Sequence, residues 1–269
     1  MPGSWRKLLA AGKSGYAGGI RITMEYAIEV RNLTKNFYLF RKNSQILPWI
    51  FTKRGYEEER QVLKRISFTV AKGEIVGLIG ANGAGKSTLM KLIAGITYQT
   101  AGDIAVNGRV GSLINLSAGF HPDYTGRKNI YYKGTIMGMS RTRIDGIIDD
   151  IADFVELGGY FDRPLRMYSS GMSARLGFAL AVYSEPEILI VDEVLAVGDK
   201  SFQAKSRRKV EELFQAGKSV IFSSHSDGLI RQFCSRVLYL KDGHIAFDGD
   251  VEEGLHTYQA DILKQKGRL

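Results

Sequence analysis

Residues Gly80-Ala81-Asn82-Gly83-Ala84-Gly85-Lys86-Ser87-Thr88 have the types and spacing of a phosphate-binding loop, G-x-x-x-x-G-K-[ST]. An apolar run, Ile75-Val76-Gly77-Leu78-Ile79, precedes them. A helix-like pattern, Leu89-Met90-Lys91-Leu92-Ile93-Ala94, follows. Strand, glycine-rich loop and helix is the context that gives the motif its meaning. The three glycines permit the positive φ that turns backbone N–H groups inward. The helix N-terminus adds a positive dipole end beneath a phosphate. Lys86 can reach β- and γ-phosphates, and the Ser87 hydroxyl can take a place on Mg²⁺. Gly-Lys-Ser also occurs at 12–14 and 217–219, but five places upstream stand Lys7 and Glu212 rather than glycine. Those copies read as a tail tripeptide and a helix-to-strand turn.

Three later stretches carry further chemistry. Ile188-Leu189-Ile190-Val191 is an apolar strand that ends in Asp192-Glu193. Successive strand residues point opposite ways, so the two carboxylates can serve different tasks. Asp192 suits the surroundings of Mg²⁺ beside Ser87, and Glu193 suits a general base for an attacking water. Phe222-Ser223-Ser224-His225 ends another strand in a histidine, which can reach a γ-phosphate held at neighbouring strand ends. Tyr168-Ser169-Ser170-Gly171-Met172 opens a helix, and its hydroxyls and N–H groups make a second anion site. Two phosphate-binding helix starts in one chain imply a nucleotide clamped between two chains. Phe37-Tyr38 places two aromatics where an edge strand should leave its sheet, and one could stack on a nucleotide base.

The elements that position these residues follow from periodicity. Tyr26-Ala27-Ile28-Glu29-Val30 alternates as a strand. Ile66–Val70, the Lys72-Gly73 turn and Glu74–Ile79 read as a hairpin, as do Asp103–Val110 around Asn107-Gly108. Residues 126–158 turn helical, with Ile144, Ile147, Ile148, Ile151, Phe154, Val155 and Leu157 on one face. Helices are expected again over 172–183 and 202–214. Apolar strands at 188–191, 219–222 and 236–240 between helices describe a mostly parallel sheet buried on both faces.

Composition sets bounds. The 269 residues carry 44% apolar and 24% charged side chains, ordinary for a globular chain. No window approaches the roughly 18 apolar residues of a spanning helix. Cys234 is the one cysteine and cannot form an internal disulfide. The net charge of +9 fits nucleic acid or an anionic membrane surface and by itself does not choose. Residues 1–23 hold six glycines or prolines, four basic residues and no acid, which suggests a weakly ordered extension or a surface-binding segment. Residues 41–60, with Ile46-Leu47-Pro48-Trp49-Ile50-Phe51 among charges, read as an insertion between strands that could lie on a partner.

Taken together, residues 25–250 resemble the ATPases of ABC transporters. Gly80–Thr88 is similar to the Walker A loop, Ile188–Glu193 to Walker B with its catalytic glutamate, and Ser169–Met172 to the family signature. Ala196-Val197-Gly198-Asp199 is similar to the D-loop, His225 to the switch histidine, and Phe37 to the adenine-stacking aromatic, with Tyr38 as neighbour. The signature reads Tyr-Ser-Ser-Gly-Met instead of Leu-Ser-Gly-Gly-Gln. The stretch 110–122 lacks the Q-loop glutamine, with Asn115 as a substitute on the Mg²⁺ side. These departures, and Thr125-Gly126-Arg127-Lys128-Asn129-Ile130-Tyr131, resemble the polysaccharide-exporter subgroup that moves O-antigen, capsule or teichoic acid.

The resemblance implies a P-loop NTPase α/β fold at 24–269. It would have a mostly parallel core sheet, an antiparallel β subdomain and an inserted helical subdomain at about 117–181. No carbohydrate-binding domain is expected after it, since such a domain needs about 50 residues or more. It further implies ATP and Mg²⁺ as cofactors. The implied catalytic residues are Glu193 and His225, and the Mg²⁺ side holds Ser87, Asp192 and Asn115. Nucleotide contacts would come from Phe37, Gly80, Asn82, Gly83, Ala84, Gly85, Lys86, Ser87, Thr88, Ser169, Ser170, Gly171, Met172 and Asp199. The implied assembly is a head-to-tail pair of copies, on two copies of an integral-membrane permease, at the cytoplasmic face of the membrane. The alternatives are another cargo (drug, lipid or peptide) or a soluble ABC ATPase acting on nucleic acid, which is not expected because the chain has one set of motifs and no sustained heptads.

Overall fold

The computed structural model describes residues 26–39, 56, 58–192 and 198–267. The extension at 1–23, most of the 41–60 insertion and Glu193 lie outside the described residues, as do Ala196 and Val197 of the 196–199 stretch.

Two sheets organise the chain. The first has the order β2-β1-β4 and is antiparallel, with β1 at Tyr26–Leu39, β2 at Glu58–Ala71 and β4 at Ala101–Val106. The second has the order β5-β6-β7-β3-β8-β9. Its strands are β3 Ile75–Ile79, β5 Val110–Ser112, β6 Ile188–Val191, β7 Ser219–Ser223, β8 Arg236–Lys241 and β9 His244–Gly249. Every pairing in it is parallel except β8 with β9.

The parallel sheet is covered on both faces, and strand alternation divides its side chains between two cores. Leu189, Val191, Val220, Phe222, Val237 and Tyr239 join the helical side. Ile188, Ile190, Ile221, Leu238, Leu240, Val76 and Leu78 join β1, β2 and the helix that follows β3. This double burial is why the strands are continuous apolar runs.

The helices are α1 Lys86–Ile93, α2 Gly126–Ile136, α3 Arg141–Asp145, α4 Ile148–Val155, α5 Ser170–Tyr183, α6 Lys200–Gln215, α7 Asp227–Phe233 and α8 Val251–Lys266. Side-chain caps set several starts: Thr125 accepts from Lys128 N–H, Ser140 from Arg143 N–H and Asp250 from Glu252 N–H. The apolar face expected over 126–158 is divided among α2, α3 and α4; α2 and α4 pack on α5, and α3 packs on α2 and α4. Ile144, Ile151 and Val155 are fully buried there.

Both expected hairpins are sheet crossings. β2 pairs with β1 alone, while β3 lies between β7 and β8. At the Lys72-Gly73 turn the Gly73 N–H donates to Ser219 Oγ (2.9 Å), and Glu74 Oε2 accepts from Ala71 N–H (2.7 Å). Asn107 N–H bonds Ala27 O at 2.8 Å and Gly108 sits at φ +151°, after which the chain leaves the first sheet for β5 beside β6. The same Gly and Asn chemistry serves a tight hairpin and a corner between sheets, because both need only a local reversal. β1 is the middle strand of its sheet rather than an edge, although beyond Thr34 its pairing runs with β2 alone.

Candidate nucleotide site

The order β6-β7-β3 explains how distant residues meet. The three strands are adjacent and parallel, so their carboxyl ends open on one edge. β3 delivers the 80–88 loop, β6 delivers Asp192, and β7 delivers His225. A cleft of about 610 Å³ collects Asn82, Gly83, Gly85, Lys86, Ser87, Thr88, Asp192 and His225 there. It lies outside the carboxyl ends of a parallel sheet, where open α/β sheets take their ligands.

The loop has the geometry that its glycines predict. Gly80, Gly83 and Gly85 sit at φ +149°, +81° and +109°. Lys86 Nζ donates to the carbonyls of Gly80 (2.6 Å) and Ala81 (3.1 Å) and so folds over the loop. Ser87 Oγ donates to Asp192 Oδ2 at 3.0 Å. That contact joins positions 105 residues apart in the chain. A hydroxyl beside a carboxylate is a hard oxygen pair of the kind Mg²⁺ prefers, with waters and phosphate oxygens completing its shell. The donor set therefore fits the ion.

β1 supplies one wall. Phe37 lines the cleft with Leu39, opposite Arg60 and Val62 of β2. Lys35 Nζ lies 4.9 Å from the Phe37 ring centroid. Tyr38 is turned to the other face and meets Tyr56 edge-on at 5.1 Å. Alternation along the strand puts the two aromatics on opposite faces, and of the two only Phe37 lines the cleft. Leu39, Arg60 and Val62 were missed by motif reading; their signal was their even spacing from Phe37 along β1 and, on β2, from one another.

The Ser169–Met172 stretch stands apart. None of residues 169–172 lines the cleft of the 80–88 loop. Ser169 caps α5 by accepting from Met172 N–H (3.2 Å). Ser170 and Gly171 line a separate cleft of about 440 Å³ with Asn115, Asp192 and Gly198. Asp192 borders both. The Tyr168 hydroxyl donates to Tyr160 O (2.7 Å), and burial pushes its pKa up to about 12. Asp199 is also outside the first cleft. It caps α6 by accepting from Phe202 N–H (2.9 Å) and pairs with Arg175 at 2.7 Å. The Phe202 N–H first, and Arg175 with it, hold this carboxyl below the usual carboxylate range.

Asn129 organises the turn that precedes α2. It is fully buried. Its Oδ1 accepts from His121 N–H, and its Nδ2 donates to the carbonyls of His121, Tyr124 and Thr125. One side chain thus fixes the turn that leads from the Asn115 stretch into α2.

The ABC transporter family pattern matches residues 63–196, which include the 80–88 loop, Ser169–Met172 and Asp192-Glu193. The O-antigen export system ATP-binding protein RfbB of Klebsiella pneumoniae is 42% identical over 242 residues, covering 88% of this chain and 98% of that protein. The chain belongs to the ABC transporter family. Two further relatives are the RfbB protein of Myxococcus xanthus (42% over 221 residues, 81% of this chain) and the teichoic acids export ATP-binding protein TagH of Bacillus cereus (39% over 246 residues, 91% of this chain). The chain spans 51% and 44% of their lengths, about half of each. Among solved structures, an ATP-binding subunit of an ABC transporter aligns with TM-score 0.67 at 20% identity, covering 87% of this chain and 93% of that one. A dimeric ATP-binding cassette with ADP and Pi aligns with TM-score 0.64 at 20% identity, covering 83% and 98%. The α/β architecture with its mixed sheet and separate antiparallel sheet is that of ABC ATPase cassettes.

Proposed function

We propose that this chain is the ATP-hydrolysing subunit of an ABC exporter that moves lipid-linked polysaccharide across the cytoplasmic membrane. The convergence of the 80–88 loop, Asp192 and His225 on one cleft, with Phe37 as its wall, carries the ATPase part. The names of relatives that align over most of this chain support the cargo.

In this reading the N–H groups of the loop and of the first turn of α1 hold the ATP phosphates, and Lys86 exchanges its loop carbonyls for phosphate oxygens. Phe37 stacks on the adenine. Ser87 and Asp192 would hold Mg²⁺, which neutralises charge that develops on the transferred phosphate. Glu193 accepts the proton of the attacking water, and His225 bonds the γ-phosphate. Ser169–Met172 and Asp199 serve the nucleotide of a second, head-to-tail copy, which accounts for their distance from the first cleft. The γ-phosphate then favours the closed pair by its differential contacts. Among the described residues no helix is long and apolar enough to cross a membrane. As in the membrane exporters its relatives are named for, the reading places the chain peripherally, on two copies of a permease, gripped by α2–α5.

Cells that lack the chain should lose surface glycan and accumulate the lipid-linked form inside. Intact surface glycan would move the cargo to drug, lipid or peptide. Co-purification of nucleic acid without an integral-membrane protein would instead favour the nucleic-acid ATPase. A second test concerns the aromatic wall. Phe37→Ala is expected to raise the KM for ATP by about 5- to 150-fold, since one aromatic–base stack is worth about 1–3 kcal/mol. Tyr38→Ala should leave KM within about twofold. Equal effects of the two changes in steady-state assays would remove Phe37 from the base contact.

A further inference from the structure

The loop 112–118 lacks the family's glutamine, yet it is held at several points. Leu113 N–H bonds Ile190 O of β6 at 2.9 Å, and Ile114 N–H bonds Ser112 Oγ at 3.2 Å. Asn115 follows at φ +55°, a left-handed backbone that asparagine tolerates better than most non-glycine residues. Leu116 is then gripped from two sides. Lys133 Nζ, on α2, donates to Leu116 O at 2.9 Å and lies 4.4 Å from the Phe120 ring centroid. On α5, Gly177 is packed so closely that any Cβ there would overlap the Leu116 carbonyl.

We propose that Lys133 is a positioning residue for the nucleotide site: it clamps Leu116 to the helical unit and so sets where Asn115 stands opposite Asp192. Asn115 and Asp192 line the same cleft, and Asp192 in turn bonds Ser87. A shift of α2 or α5 against the sheet therefore reaches the Mg²⁺ side through Leu116 and its neighbour, without a glutamine side chain. Lysine is an expensive choice for this place. Its ammonium is partly withdrawn from water, and burial alone brings its pKa down to about 8. A cation kept there makes a charge-assisted bond to a carbonyl that a neutral side chain would hold less firmly. The proposal rests on the ATPase reading above.

Mg-ATP hydrolysis by the full chain, TNP-ATP binding and amide exchange over 112–120 test it. Lys133→Met is expected to lower kcat about tenfold, with KM and TNP-ATP affinity within about twofold, because the loop and Phe37 are untouched. Exchange over 112–120 should quicken, and Lys133→Arg should restore kcat to within about threefold of the parent. An unchanged kcat in Lys133→Met, a KM that rises in step with the loss, or an arginine variant no better than methionine would overturn the proposal. If the methionine variant fails to fold, Lys133→Gln replaces it, with the same loss expected relative to arginine. A parent chain that hydrolyses no ATP, while 112–120 still loosens without Lys133, would sink the ATPase reading but support the clamp. Normal hydrolysis with unchanged exchange would sink the clamp.

Discussion

Glu193→Gln should bind ATP as tightly as the parent chain and turn it over about 10²–10⁴ times more slowly, the usual range for loss of a positioned general base. The substitution keeps the size of the side chain and removes only its capacity to take a proton. Affinity should survive because the proposed nucleotide contacts lie elsewhere, on the 80–88 loop, Lys86 and Phe37. The neighbouring Asp192 accepts from Ser87 Oγ at 3.0 Å, which ties it to the loop side of the cleft. Steady-state hydrolysis and TNP-ATP titration check both halves of the expectation. ATP should also hold the variant in a pair of copies, visible as a shift in size-exclusion mass, because hydrolysis no longer releases the closed state. Turnover at the parent rate would remove Glu193 from the base role.

Gly80→Ala should damage both nucleotide binding and the fold. Gly80 sits at φ +149°, where a side chain is strained, and a Cβ would overlap the carbonyl oxygen of Leu240. That oxygen belongs to the backbone of β8, which is paired with β3 on one side and β9 on the other. It cannot swing aside as a flexible side chain would. Either the loop lifts from the sheet or β8 moves. The expected result is a loss of about 2–4 kcal/mol in stability, as for other substitutions at strained, tightly packed backbone positions. TNP-ATP affinity should fall at least about tenfold, since the loop's N–H groups no longer converge. Gly83→Ala is the matched control: its φ is also positive, but a Cβ there meets open space. Thermal melts that show Gly80→Ala as stable as Gly83→Ala would refute the packing argument.

Much of the site is legible in the sequence because its chemistry sits in short, local motifs. The 80–88 loop depends on glycines at fixed spacing between a strand and a helix, and the structure has that strand and that helix at Ile75–Ile79 and Lys86–Ile93. The parallel sheet is legible for the same reason, since strands buried on both faces must be apolar throughout. Phe37 and Tyr38 are equivalent as residue types, but strand alternation puts them on opposite faces of β1 and only Phe37 on the cleft. The two hairpin readings failed because a reversal at Lys72-Gly73 or Asn107-Gly108 is a local property, whereas the partner of the next strand is not. β3 goes to β7 and β8 because there its apolar residues are covered on both faces.

Residue types and spacing alone establish that this chain carries a phosphate loop, a paired carboxylate at one strand end and a histidine at another. Only the packed molecule brings Ser87 to Asp192 and His225 to the same cleft, because strand order places β6, β7 and β3 side by side. Only packing, likewise, separates residues 169–172 from the loop cleft and catches Leu116 between Lys133 and Gly177. Such contacts join positions far apart in the chain. Burial and the sheet's pairing set them, and neither is written in any single stretch of residues.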